Sequence, residues 1–75
     1  MSTADDDRVG RILGIVREIL SKPDLTADDE IMNHGGTSLS MVRILAATSM
    51  VLALDIDPRD VDGIVTARSL ARAAA

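Results

Sequence analysis

The chain has 75 residues, 47% of them hydrophobic and none aromatic, no cysteine, and a net charge of −4 from twelve acidic against eight basic residues. These figures exclude a disulfide framework and a thiolate metal site, leave no aromatic platform for stacking bases, and set the surface against phosphate backbones and anionic membranes. A single domain over residues 1–75, resting on buried aliphatic side chains near the lower size limit for an unstapled core, is expected, with little room for an enzyme.

The N-terminus, MSTADDDR, has neither the basic nor the apolar region of a signal peptide, and the longest uncharged run, Ile44 to Leu54, is too short to span a bilayer. A soluble, cytoplasmic monomer is therefore the expectation, with no nucleic acid and no membrane among its partners. The first periodic segment runs from about Ala4 to Ser21, where Val9, Ile12, Leu13, Val16, Ile19 and Leu20 recur at three- and four-residue steps. That spacing predicts one helix with one apolar face. Ser2, Thr3 and Asp5 to Asp7 suit a solvated helix start, capping free N–H groups and complementing the positive helix end. Pro23 closes the segment, because it disfavours a helical conformation at Lys22.

A long loop follows, from Pro23 to Thr37. Its acids, Asp24, Asp28, Asp29 and Glu30, lack the alternating ligands and central glycine of a calcium loop, so no metal is expected. The stretch LTADDE reads as a turn or short helical start capped by Thr26, with Leu25 and Ile31 as apolar pins into the core. A loop of this length in so small a domain is usually disordered or functional.

The second helix is expected from Ser38 to about Ala53, and it is apolar nearly all round. One stripe holds Met41, Ile44, Leu45 and Leu52 with Thr48 in line; the other holds Leu39, Val42, Ala46, Met50 and Ala53. A helix apolar on every side is normally buried on every side, which a domain this small cannot easily achieve, so either one stripe meets a partner or both are core. Periodicity does not say which face is which. After Leu54 the chain predicts a short third helix, Pro58 to Asp62, capped by Asp57 and ended by Gly63. Thr66 then caps a last helix, Ala67 to Ala74, which offers Ala67, Leu70, Ala71 and Ala74 to the core. The expected fold is all-α: a small four-helix bundle with a long first loop and a short third helix.

The stretch NHGGTSLS, Asn33 to Ser40, holds the candidate chemistry. A nucleophilic serine needs a base, and the single histidine, His34, lies across two glycines from Ser38 with no G-x-S-x-G elbow around it. Ser38 as a plain helix-start residue is adequate too: Gly35 and Gly36 make a turn and Thr37 caps. That reading leaves a conjunction unexplained. A glycine pair strips side chains from the approach to one hydroxyl, the hydroxyl lies at a positive helix end, and an apolar stripe runs away from it. Backbone N–H groups and the helix dipole there would steady a phosphodiester anion.

GGTSLSMVRIL, Gly35 to Leu45, resembles the phosphopantetheine-attachment motif of acyl and peptidyl carrier proteins, in which two glycines, a polar residue, the modified serine and a leucine open the second helix. DLTADDEIM is similar to that family's first loop, and DIDPRDVDGIVTARSLA to its third and fourth helices. The resemblance implies that Ser38 carries the covalent 4′-phosphopantetheine from coenzyme A, with Gly36, Thr37 and Leu39 around it. It also implies Met41, Ile44, Leu45 and Leu52 toward the core, and a partner surface of Leu39, Val42, Arg43, Ala46 and Met50, with Ile64 as a further contact. Its implied partners are a phosphopantetheinyl transferase, an adenylating or acyl-loading enzyme, and downstream tailoring or condensing enzymes. Two positions differ from the family pattern: Thr37 stands where aspartate or histidine is usual, and His34 where leucine is frequent. Carriers of fatty acid synthesis have an acidic second helix; this one has no acid from Leu39 to Leu54 and contains Arg43. The resemblance therefore leans toward a free-standing peptidyl carrier of nonribosomal peptide or related natural-product assembly. The alternatives are an acyl carrier of polyketide or fatty acid synthesis, and an unmodified helical interaction module.

Overall fold

The computed structural model describes residues 3–61 and 63–74. Three α-helices run in order, α1 (Thr3–Leu20), α2 (Ser38–Leu52) and α3 (Ala67–Ala73), with 3₁₀ turns at Ile31–His34 and Pro58–Asp60. The cap expected of Ser2 lies outside the described residues, as do the side chains of Thr3 and Asp5 and the whole of Asp62. Within α1, Asp7 pairs with Arg11 at 3.0 Å, one turn on, across the exposed face.

α1 packs against both α2 and α3. Its periodic residues Ile12 and Val16 are fully buried, and they meet Ile44 of α2, Leu70 and Ala71 of α3, and Leu25, Ile31 and Ile56 from the connections. The expected inner stripe of α2 is the inner one: Ile44 and Thr48 are buried, and Met41, Leu45 and Leu52 lie half-buried against the same cluster. Thr48 is tolerated at 0% exposure because its hydroxyl donates to the Ile44 carbonyl at 2.7 Å, leaving no orphaned polar atom.

Helix ends depart slightly from expectation. α1 stops at Leu20 rather than Ser21, since Ser21 takes the left-handed conformation (φ 56°) and the Lys22 N–H returns to the Arg17 carbonyl at 3.0 Å. The left-handed cap makes the stop, and Pro23 follows it. α2 stops at Leu52 with Ala53 as a left-handed cap (φ 54°), and Ala74 leaves α3 to form an antiparallel bridge with Ile56.

The fourth helix is not present among the described residues. Of the segment expected to be helical from Pro58 to Asp62, Pro58–Asp60 form a single 3₁₀ turn, after which Val61 is already extended. Asp57 caps it as expected, accepting the Arg59 N–H at 2.9 Å and the Arg59 guanidinium at 2.7 Å. Pro58, Arg59 and Asp60 are all exposed, so the turn has no apolar face whose burial would propagate it into a helix.

The long first loop is ordered by distant partners. Arg17 Nε donates to the Leu25 carbonyl at 2.7 Å, the Ile31 N–H to the Val65 carbonyl at 2.9 Å, and the Arg68 N–H to the Ala27 carbonyl at 3.1 Å. Arg68 also pairs with Asp28 at 2.8 Å across 40 residues of sequence. Leu25 and Ile31 are buried at 3% and 0%, the pins the sequence suggested, while LTADDE is a turn and not a helix start.

Candidate functional site

The site is built from Ile31 upward. Its carbonyl, at the start of the first 3₁₀ turn, accepts the N–H groups of both Gly35 and Gly36. Gly35 stands at φ 90°, a conformation that glycine adopts without a steric penalty. Gly36 is required for a different reason. A Cβ there would lie 2.7 Å from the Ile31 carbonyl oxygen and 2.9 Å from Ile31 Cγ2, so no side chain fits between this strand of loop and the buried isoleucine. The glycine pair thus lets the chain press onto the core and turn straight into α2.

Thr37 caps α2 from an extended conformation, its hydroxyl oxygen accepting the Ser40 N–H at 3.1 Å while its carbonyl accepts the Met41 N–H at 2.9 Å. Ser40 Oγ lies 3.1 Å from the same hydroxyl. These bonds consume the third and fourth N–H groups of the helix start and leave those of Ser38 and Leu39 directed outward. Ser38 is the first residue of α2 and is exposed, and the first turn contains no acid. A hydroxyl in this position is open to solvent, close to unpaired N–H donors, and in the positive field of a helix of 15 residues.

His34 is occupied elsewhere. Its Nδ1–H donates to the Glu30 carbonyl at 2.8 Å, within its own turn, and no hydrogen bond joins it to Ser38 among the described residues. The base that a serine nucleophile needs is therefore not assembled here. Two acids of the loop, Asp28 and Asp29, are likewise used structurally. Arg68, by hydrogen bond and by charge, holds the Asp28 carboxyl below the usual carboxylate range, and the Thr26 N–H does the same for Asp29. No group of three or more His, Asp or Glu side chains among the described residues is placed to hold a metal ion.

Leu39, Val42, Arg43, Ala46 and Met50 lie together on the solvent side of α2, and the outer stripe is open over its whole length, with Met50 85% exposed. Ile64 is exposed too, but on the bend after Gly63 and not on α2. Val51 and Met32 are exposed apolar residues that neither stripe had included. Val51 lines a groove between α1 and α2 with Ile15 and Ile19, and its position one turn beyond Ala47 is the signal that could have marked it.

The sequence profile of the phosphopantetheine attachment site family matches residues 10–74. The chain belongs to that family. It is a phosphopantetheine-bearing carrier domain, and covalent 4′-phosphopantetheine is its cofactor. Comparison with curated proteins and with solved structures returns no match. No helix of the described carrier is long and apolar enough to cross a membrane.

Proposed function

We propose that Ser38 is the attachment residue and that the 75 residues form one carrier domain with no catalysis of its own. One observation carries this reading: the Ser38 hydroxyl is exposed at the start of α2, beside N–H groups without a helical partner and behind a glycine that the Ile31 carbonyl forbids to bear a side chain. The surroundings fit the group. A phosphodiester at this oxygen is met by amide donors and the helix field, with no carboxylate in the first turn to repel it. Bound there, the arm supplies a terminal thiol that holds an acyl or aminoacyl cargo as a thioester. In the attachment step Ser38 Oγ loses its proton and gains a bond to phosphorus, the pyrophosphate link of coenzyme A breaks, and its adenosine bisphosphate half leaves.

The role of α2 follows from its composition. A face of Leu39, Val42, Ala46 and Met50 with Arg43 on its flank supports apolar docking, and a helix without carboxylates gives a basic partner nothing to grip. That favours a peptidyl-type carrier of nonribosomal peptide or related biosynthesis over an acyl carrier of fatty acid synthesis. Its partners on this reading are a phosphopantetheinyl transferase, an adenylating or acyl-loading enzyme, and tailoring or condensing enzymes downstream. Incubation with coenzyme A and a broad-specificity transferase, followed by mass spectrometry, tests the assignment. The wild-type protein gains the mass of one arm and Ser38→Ala gains none; an unchanged wild type, or an arm on the alanine variant, would falsify it.

A further inference from the structure

The solvent side of α2 holds a single charged group. Leu39, Val42 and Met50 are 68%, 63% and 85% exposed, Ala46 completes the strip, and Arg43 stands on its flank. No carboxylate occurs between Ser38 and Leu54, although the chain as a whole carries a net charge of −4. The acid-free face therefore runs against the surface that surrounds it. Ion pairs among the described residues, Asp7–Arg11, Asp28–Arg68 and Asp57–Arg59, engage other cations, and Arg17 is held by the Leu25 carbonyl. Arg43 lines a groove of about 570 Å³ between α1 and α2 whose far wall includes Glu18, yet no ion pair forms between the two. Its guanidinium fork is thus available to a carboxylate from outside.

Resting on the carrier reading above, we infer that Arg43 selects partners by charge. The enzyme surface that docks on α2 presents an apolar patch with a carboxylate beside it, aligned with Arg43. Burial of the strip supplies affinity, and Arg43 supplies discrimination, because a partner lysine or arginine in the same place is desolvated against a like charge. Arg43 lies about 7–8 Å along the helix axis from Ser38.

Three synthetic amphipathic helical peptides, alike in a Leu/Met face and differing only in a flanking Glu, Gln or Lys, serve as probes in a titration of the ¹⁵N-labelled chain. Amide shifts are expected at Leu39, Val42, Arg43, Ala46 and Met50, with the Glu peptide binding about three- to fivefold tighter than the Lys peptide. The net charge of the chain favours the Lys peptide non-specifically, so the expected order must arise at the contact itself. Added salt narrows the ratio, Arg43→Lys retains it, Arg43→Gln removes it and Arg43→Glu inverts it. Equal affinities, a ratio that survives Arg43→Gln, or no binding of any peptide overturns the inference. Ser38→Ala keeps the ratio. Failure of arm addition with the ratio intact therefore sinks the Ser38 assignment alone, and arm addition without the ratio sinks the Arg43 inference alone.

Discussion

α2 and α3 begin with the same chemistry and end up with opposite properties. Each is capped by a threonine with a serine three residues on, Thr37 with Ser40 and Thr66 with Ser69. At α3 the box closes: Ser69 N–H donates to Thr66 Oγ1 at 3.0 Å, Thr66 N–H to Ser69 Oγ at 2.8 Å, and the Arg68 N–H is taken by the Ala27 carbonyl of the long loop. Thr66 and Ala67 are buried beneath that loop at 6% and 1%. At α2 the Ser40 hydroxyl turns to the Thr37 hydroxyl instead, and Ser38 is exposed. A cap alone does not make a site. What differs is the preceding loop: Ala27 and Asp28 cover one helix start, whereas Gly35 and Gly36 turn tightly beneath the other and leave it bare.

The largest expected effect removes the open end's function outright. Ser38→Ala abolishes arm addition by mass while moving the urea midpoint hardly at all, since an exposed surface change is worth about 0.5 kcal/mol or less. Next comes the tight turn. Gly36→Ala drives a methyl into the Ile31 carbonyl and costs about 1–3 kcal/mol by denaturant titration, as overpacking does elsewhere. A cost within error of zero would mean that the turn moves aside easily and does not fix the serine. The caps themselves give a graded comparison. Thr66→Ala leaves the part-buried Ser69 N–H without its cap and is expected to cost about 1–2 kcal/mol, Thr37→Ala about 0.5–1 kcal/mol. Equal losses would erase the distinction between sealed and open.

The smallest effect is on acid tolerance. Asp28 titrates below its ordinary value in the folded chain because Arg68 hydrogen-bonds its carboxylate. A depressed folded pKa gives stability that is complete above the unfolded value of about 4 and is lost as pH falls through the folded one. Asp28→Asn should therefore flatten that acid limb slightly in a thermal-melt series below about pH 4, with no change at neutral pH beyond the loss of an exposed pair.

Much of this was legible because it is local. The apolar steps of α1, the cap at Thr37, the cap at Thr66 and the glycine pair are all signals within a few residues of their effect. The conformation of the first loop was not, because its anchors join Ala27 and Asp28 to Arg68, and Ile31 to Val65, and nothing near either partner announces the other. The turn at Pro58 shows the opposite failure. Proline and a capping aspartate are good start signals, but with Pro58, Arg59 and Asp60 all exposed no packing rewards continuation. The face of α2 that meets water was undetermined by a period that ran apolar in both directions; the family resemblance implied one stripe as inner, and its packing against α1 shows it. Gly36 was legible as a turn residue, but its contact with Ile31 needed coordinates.

Ile31 belongs at once to the hydrophobic interior and to the floor beneath the glycines, with its N–H committed to Val65 and its carbonyl to Gly35 and Gly36. Repacking the interior at this position therefore re-registers a surface oxygen more than a turn away in sequence. Anyone grafting the Ser38 segment onto another scaffold must transplant that isoleucine and a backbone carbonyl to accept its amide as well, or the loop will have no bedrock to lean on.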